Sequence, residues 1–196
     1  KVPKKVYGGI YLDKLASAEN LNISDTVSGG IPLAGLTSAK GLKLPEVVNG
    51  VLDLRGLKNA EELVLPKRIE STLILQKLMS AKGLKLPEVI NGSLDLTNLT
   101  SAEDLILPEI MNGGIYLASL KSPKGLKLPE VINGNLYLWS LTSIEGLIFP
   151  KTINGMLTLH DLENVEGSVI PEELKCELYC IIANNDIDRK STRLNS

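Results

Sequence analysis

A glycine-led unit recurs every 21 residues along nearly the whole chain, without a slip. Its Gly-x-(Leu/Ile)-x-Leu corner falls at Gly8, Gly29, Gly50, Gly92, Gly113, Gly134 and Gly155, with Ser71 at the missing step and Cys176 at the last. A fixed period of this length demands one structural unit stacked on copies of itself. Taking the corner as position one, the unit Gly92 to Asn112 reads GSLDLTNLTSAEDLILPEIMN. Positions three, five, eight, eleven, fourteen, sixteen and twenty are nearly always apolar, here Leu94, Leu96, Leu99, Ala102, Leu105, Leu107 and Met111.

Leu94/Leu96 and Leu105/Leu107 are each two apart, the spacing of one face of a strand. No stretch keeps a helical i, i+3, i+4, i+7 pattern for an ordinary helix length. The unit is therefore expected to hold two short strands, at positions three to five and fourteen to sixteen, joined by bends. Asn-Gly pairs such as Asn91-Gly92 and Asn133-Gly134 supply residues that tolerate the positive φ expected at one corner. Ser-Ala-x-Gly (Ser80 to Gly83) marks the other. A proline at position seventeen, as at Pro87 and Pro108, has no N–H for a ladder and is expected to close the second strand. The fold class that results is all-β: a parallel β-solenoid of about eight coils with little or no α-helix.

Position twelve alternates Glu19, Lys40, Glu61, Lys82, Glu103, Lys124, Glu145, then Glu166. Coils about 4.8 Å apart would set opposite charges against one another, each exposed pair contributing about 0–1 kcal/mol. Position fifteen alternates in step: Lys43, Val64, Lys85, Ile106, Lys127, Ile148. The repeat thus carries a 42-residue alternation inside its shorter period.

The run Leu86-Pro87 through Leu99 resembles the bacterial type of leucine-rich repeat, and the resemblance covers about residues 2 to 175. The strand-and-glycine rhythm is also similar to receptor L domains. Leucine-rich repeats usually carry Asn or Cys where this chain has Leu15, Leu36, Leu57, Leu99 and Leu120. Ile90 to Leu94 is also one residue longer than in that family. These departures favour a flatter β-helix, with sheets on two or more sides, over a horseshoe with an asparagine ladder. The resemblance implies recognition of proteins or glycans on an extended face rather than catalysis, and it carries over no functional residue.

Residues 1–187 are expected to form one solenoid, with complete units from 8, 29, 50, 71, 92, 113, 134 and 155 and a degenerate coil from 176. Val2-Pro3-Lys4-Lys5-Val6 already fits positions sixteen to twenty, so the chain starts in mid-repeat and is expected to be truncated at both ends. Residues 188–196 resemble a translated sequencing adapter and break the period. Without them the balance is 18 basic against 22 acidic residues, which argues against a nucleic-acid partner. No membrane-inserting segment is visible. Bare strand edges at the ends predict end-to-end self-association. Cys176 and Cys180, the only cysteines, would lie about 13 Å apart in a strand, too far for a disulfide. They are read as buried thiols. No metal or cofactor is implied.

Function in such a frame belongs to outward positions that vary, chiefly four and six. Tyr116, Tyr137, Trp139 and His160 gather there on three adjacent coils and are the ligand-binding candidates. They include the only tryptophan and the only histidine. Aromatic faces with polar rims suit sugar rings or a partner's side chains. Cross-strand aromatic pairs can equally serve to stabilise an exposed sheet. Asp53 and Asp95 share a column two coils, about 9.6 Å, apart, wider than a retaining carboxylate pair. No enzyme is expected. The expected roles are a non-enzymatic recognition module for protein or glycan, or a scaffold solenoid within a larger surface or secreted microbial protein.

Deleting the whole unit Gly92–Asn112 should preserve a cooperative unfolding transition by circular dichroism. Deleting only Ala102–Asn112 should abolish it, because the half unit destroys the register of every later coil.

Overall fold

In a computed structural model, described for residues 5–19, 21–23, 26–162 and the backbone of 175–182, the chain is an all-β parallel solenoid of about seven turns. No helix occurs among the described residues. In chain order the strands are β1 Lys5–Val6, β2 Thr26–Val27, β3 Ile31–Pro32, β4 Val47–Val48, β5 Leu52–Asp53, β6 Arg68–Ile69, β7 Leu73–Ile74 and β8 Val89–Ile90. They continue with β9 Leu94–Asp95, β10 Ile110–Met111, β11 Ile115–Tyr116, β12 Val131–Ile132, β13 Leu136–Tyr137, β14 Thr152–Leu162 and β15 Lys175–Ile182.

Two parallel sheets result. One runs β1-β2-β4-β6-β8; the other runs β10-β12-β14-β13-β11-β9-β7-β5-β3, with β15 on β14. Up to β14 every ladder joins residues 21 apart, as in Leu73↔Leu94 and Ile115↔Leu136. Side chains of the seven apolar positions point into one narrow core. Leu94, Leu96, Leu99, Ala102 and Met111 are fully buried, whereas position sixteen (Leu86, Leu107, Leu128) packs against that core from its margin.

The first strand lies where the alternation puts it; the second does not. It occupies positions nineteen and twenty, and among the described residues positions fourteen to sixteen pair only at the single bridge Asn22↔Lys43. Leu105 and Leu107 show the two-apart spacing because, beside a turn, Leu105 enters the core and Leu107 packs against its margin. Proline accordingly precedes the second strand rather than closing it, and Pro45, Pro66, Pro87, Pro108, Pro129 and Pro150 form a buried column.

The chemistry of the two corners is also exchanged. Left-handed backbone occurs at position thirteen, at Gly41, Gly83, Gly125 and Gly146 with φ of 74–80°, and at Glu62 and Asp104 with φ of 57° and 66°. There the position-fourteen N–H donates to the position-eleven carbonyl, as from Leu84 to Ala81 at 2.9 Å. A left-handed third residue in such a bend is the requirement of a type II turn. Position ten completes it by accepting from the position-twelve N–H: Ser38 from Lys40, Asn59 from Glu61, Ser101 from Glu103. At the Asn-Gly corner glycine serves close approach instead. A Cβ on Gly113 would lie 2.3 Å from the Gly92 carbonyl carbon; Gly50, Gly92 and Gly134 meet the preceding coil's backbone as tightly, and Gly29, after Ser28, meets it at 2.6 Å.

Asparagine at position twenty-one forms the side-chain ladder that the leucine substitutions argued against, but on the outside. Asn112 donates to Asn91, Asn133 to Asn112 and Asn154 to Asn133, at 2.7–3.1 Å. Asn91 in turn donates to Glu70, where the run ends. Arg68 first, and Asn91 second, hold the Glu70 carboxyl below its ordinary value. The position-twelve charges pair at only two steps among the described residues, Lys40–Glu19 at 3.9 Å and Lys124–Glu103 at 3.4 Å. Position eighteen adds Lys67–Glu46 and Lys151–Glu130. Glu166 and the side chains of Cys176 and Cys180 lie outside the described residues.

Glu62→Gly and Asp104→Gly should each stabilise the fold by about 1 kcal/mol in denaturant titration, by removing the left-handed penalty of a side chain. Gly113→Ala should cost about 2 kcal/mol, because its methyl drives into backbone that cannot retreat.

Candidate functional site

Positions two, four and six alternate outward from the second sheet and form one face. Register sets Asp95, Tyr116, Tyr137 and Thr158 side by side on four successive coils. Tyr116 and Tyr137 stack with ring centroids 4.6 Å apart at 24°. Trp139 meets the edge of Tyr137 at 5.8 Å and 90°. Asn135, on the same face, donates its amide to the Tyr137 hydroxyl at 2.8 Å.

This geometry divides the aromatic group. The two tyrosines turn ring faces toward each other, so little flat surface is left for a ligand between them. Trp139 is different: it is 50% exposed, and its lateral neighbour on the preceding coil is the small Ala118. One flank of the indole therefore stays open. His160 is on the next coil, where the Asp161 N–H donates to the Trp139 carbonyl at 2.9 Å. Its Nδ1 lies 2.6 Å from the Asp161 carboxylate. The structure thus brings Tyr116, Tyr137 and Trp139 into contact and engages His160 with its own neighbour.

The polar rim lies below Tyr116. Asp95 accepts from the Thr97 N–H at 3.0 Å, from the Thr97 hydroxyl and from Gln76 at 3.4 Å. Asp53, two coils away across Ile74, is 6% exposed and is clasped by Arg55 through Nε and a terminal nitrogen. The hydrogen bond and charge of Asp53 raise the Arg55 guanidinium further above its ordinary value. Both carboxylates are occupied by donors on their own sheet face, an arrangement that orders the strand surface. Position four is also less open than alternation implies, since Asp53, clasped by Arg55, and Thr158 are both buried.

No known protein family, curated protein or solved structure matches the chain. Among the described residues, no cluster of three or more His, Cys, Asp or Glu side chains could hold a metal, and no helix is long and apolar enough to cross a membrane. Sequence reasoning confined to positions four and six missed Asn135 and also Ser93, whose hydroxyl accepts from the Gly114 N–H at 3.0 Å on the same face. Strand alternation had the signal, because position two shares their face.

Burial, with smaller contributions from Tyr137 and Asp95, raises the Tyr116 phenol above its ordinary value. The folded state therefore holds this proton more tightly than the unfolded chain. Its contribution is complete at neutral pH and is lost as pH climbs from about 10, the unfolded value, through the raised folded one. Tyr116→Phe should flatten the alkaline decline in stability, read by denaturation midpoints across that window, and leave the neutral-pH curve little changed.

Proposed function

We propose that the solenoid is a non-enzymatic recognition module, binding protein or glycan through the outward face of the first strand of each coil. The half-exposed Trp139 carries this reading. A large indole beside Ala118 leaves apolar surface in water that a partner can cover, and tryptophan contributes strongly where an interface desolvates it. Tyr137 buttresses that indole edge-on, Tyr116 backs Tyr137, and Asp95, Thr97 and His160 supply polar groups around them. The resemblance of the repeat to bacterial leucine-rich repeats supports the same use of an extended face, in a surface or secreted microbial protein. No reaction is assigned, since the acidic column is spent on intramolecular hydrogen bonds.

A second reading has its own observation. The Tyr116–Tyr137 stack and the Asn135 hydrogen bond are also what a scaffold needs to stabilise an exposed sheet, and a spacer would bind nothing. Trp139 separates the two. Across glycan and protein panels, a ligand of the recognition face should shift indole emission and reduce quencher access. Trp139→Thr with Tyr137→Thr should then lower affinity at least about tenfold, the equivalent of 1.4 kcal/mol, with the fold retained by circular dichroism. Unchanged emission and quenching across both panels would leave the spacer as the better account.

A further inference from the structure

A different flank carries charges and apolar groups that the chain itself does not use. Positions fifteen and nineteen border a shallow groove between the Ser71 and Gly92 coils, walled by Leu86–Val89 and by Ile106–Ile110. Ile106 and Ile110 are 80% and 58% exposed. The groove lies at the one step, among the described residues, where the ladder of the second strands is interrupted: β8 and β10 are adjacent but belong to different sheets. Lys85, Lys127 and Glu88 have no ionic partner among the described residues, and Glu130 has only an exposed one in Lys151.

We propose that this flank docks a second copy of the chain, antiparallel, about a twofold axis through the Gly92 coil. Such an axis reverses both coil order and the order of columns. Column fifteen of one copy then faces columns eighteen and nineteen of the other, as an isologous contact requires. Ile106 meets the partner's Ile110 at the centre. Lys85 meets the partner's Glu130, and Lys127 meets the partner's Glu88. Lysine and aliphatic residues alternate at position fifteen while position eighteen is mainly glutamate, so the charged pairs flank the Ile106 contact on the outer coils, and Glu109 of each copy stands beside it on the central one. The footprint, three coils at about 4.8 Å by five residues at about 3.3 Å, is below the roughly 800 Å² per partner of a standard interface. The dimer is accordingly weak and salt-sensitive.

Sedimentation equilibrium at about 0.5 mM should show a dimer that dissociates on dilution and is weakened by added salt. K85E/K127E and E88K/E130K should each be monomeric alone, because every rim contact becomes like-charged. Mixed in equal amounts they should form a heterodimer, because every contact is again opposite. Ile106→Asp should also give monomer. Hydrogen exchange of the unmodified chain, compared between dilute and concentrated solution, should protect residues 85–89 and 106–110 rather than the chain ends. A monomer at that concentration, a failed mixture of folded variants, or protection confined to the ends would overturn the proposal.

Discussion

Backbone contact between successive coils at the glycine corner is the constraint on which the rest depends. A Cβ would press on backbone where Gly29, Gly50, Gly92, Gly113 and Gly134 touch the coil before them. The coils lie at strand spacing there as they do at Ser71, the one described corner after Gly8 without glycine. Only at that spacing can two-residue strands form ladders and the Leu columns merge into one core. Each strand is far too short to persist alone. Its stability comes from neighbours above and below, as in any quasi-one-dimensional stack. Side-chain columns then follow without further instruction: whatever occupies a position recurs against its own kind, whether Asn91 to Asn112, Tyr116 to Tyr137 or Lys124 to Glu103.

The period, the all-β class and six of the seven expected core positions were legible in the sequence, with position sixteen at the margin, because burial imposes a pattern that a single chain displays. The placement of the second strand was not. Leu105 and Leu107 look like one strand face, yet a turn can also present two residues to a core, and apolar spacing cannot tell these apart. Glycine was similarly ambiguous: the same residue answers either a left-handed φ, at Gly83, or a close backbone, at Gly113. Glu62 and Asp104 resolve this, because side chains tolerated at position thirteen show that space there is free and only the dihedral is demanding. The asparagine ladder is hidden because Asn-Gly also reads as a bend, and spacing does not tell a turn former from a side chain that bonds its own kind on the next coil.

The aromatic face was legible as a column but not as a geometry. Register alone puts Tyr116 beside Tyr137; whether the rings offer faces or edges depends on side-chain torsions that no spacing encodes. Their mutual stack leaves Trp139 as the exposed element. Asp53 shows the opposite limit: an outward position becomes buried when Arg55 folds across it.

The interrupted step between β8 and β10 also bears on how the molecule deforms. On the opposite side β7, β9 and β11 remain laddered without a gap, and Ile90 and Met111 stay fully buried between the two walls. One wall is therefore continuous while the other has a seam. A rod built this way is not equally stiff in all directions: the intact sheet resists bending more than the wall that holds the Ile106 groove, where the Asn112–Asn91 bond crosses the seam in place of a strand ladder.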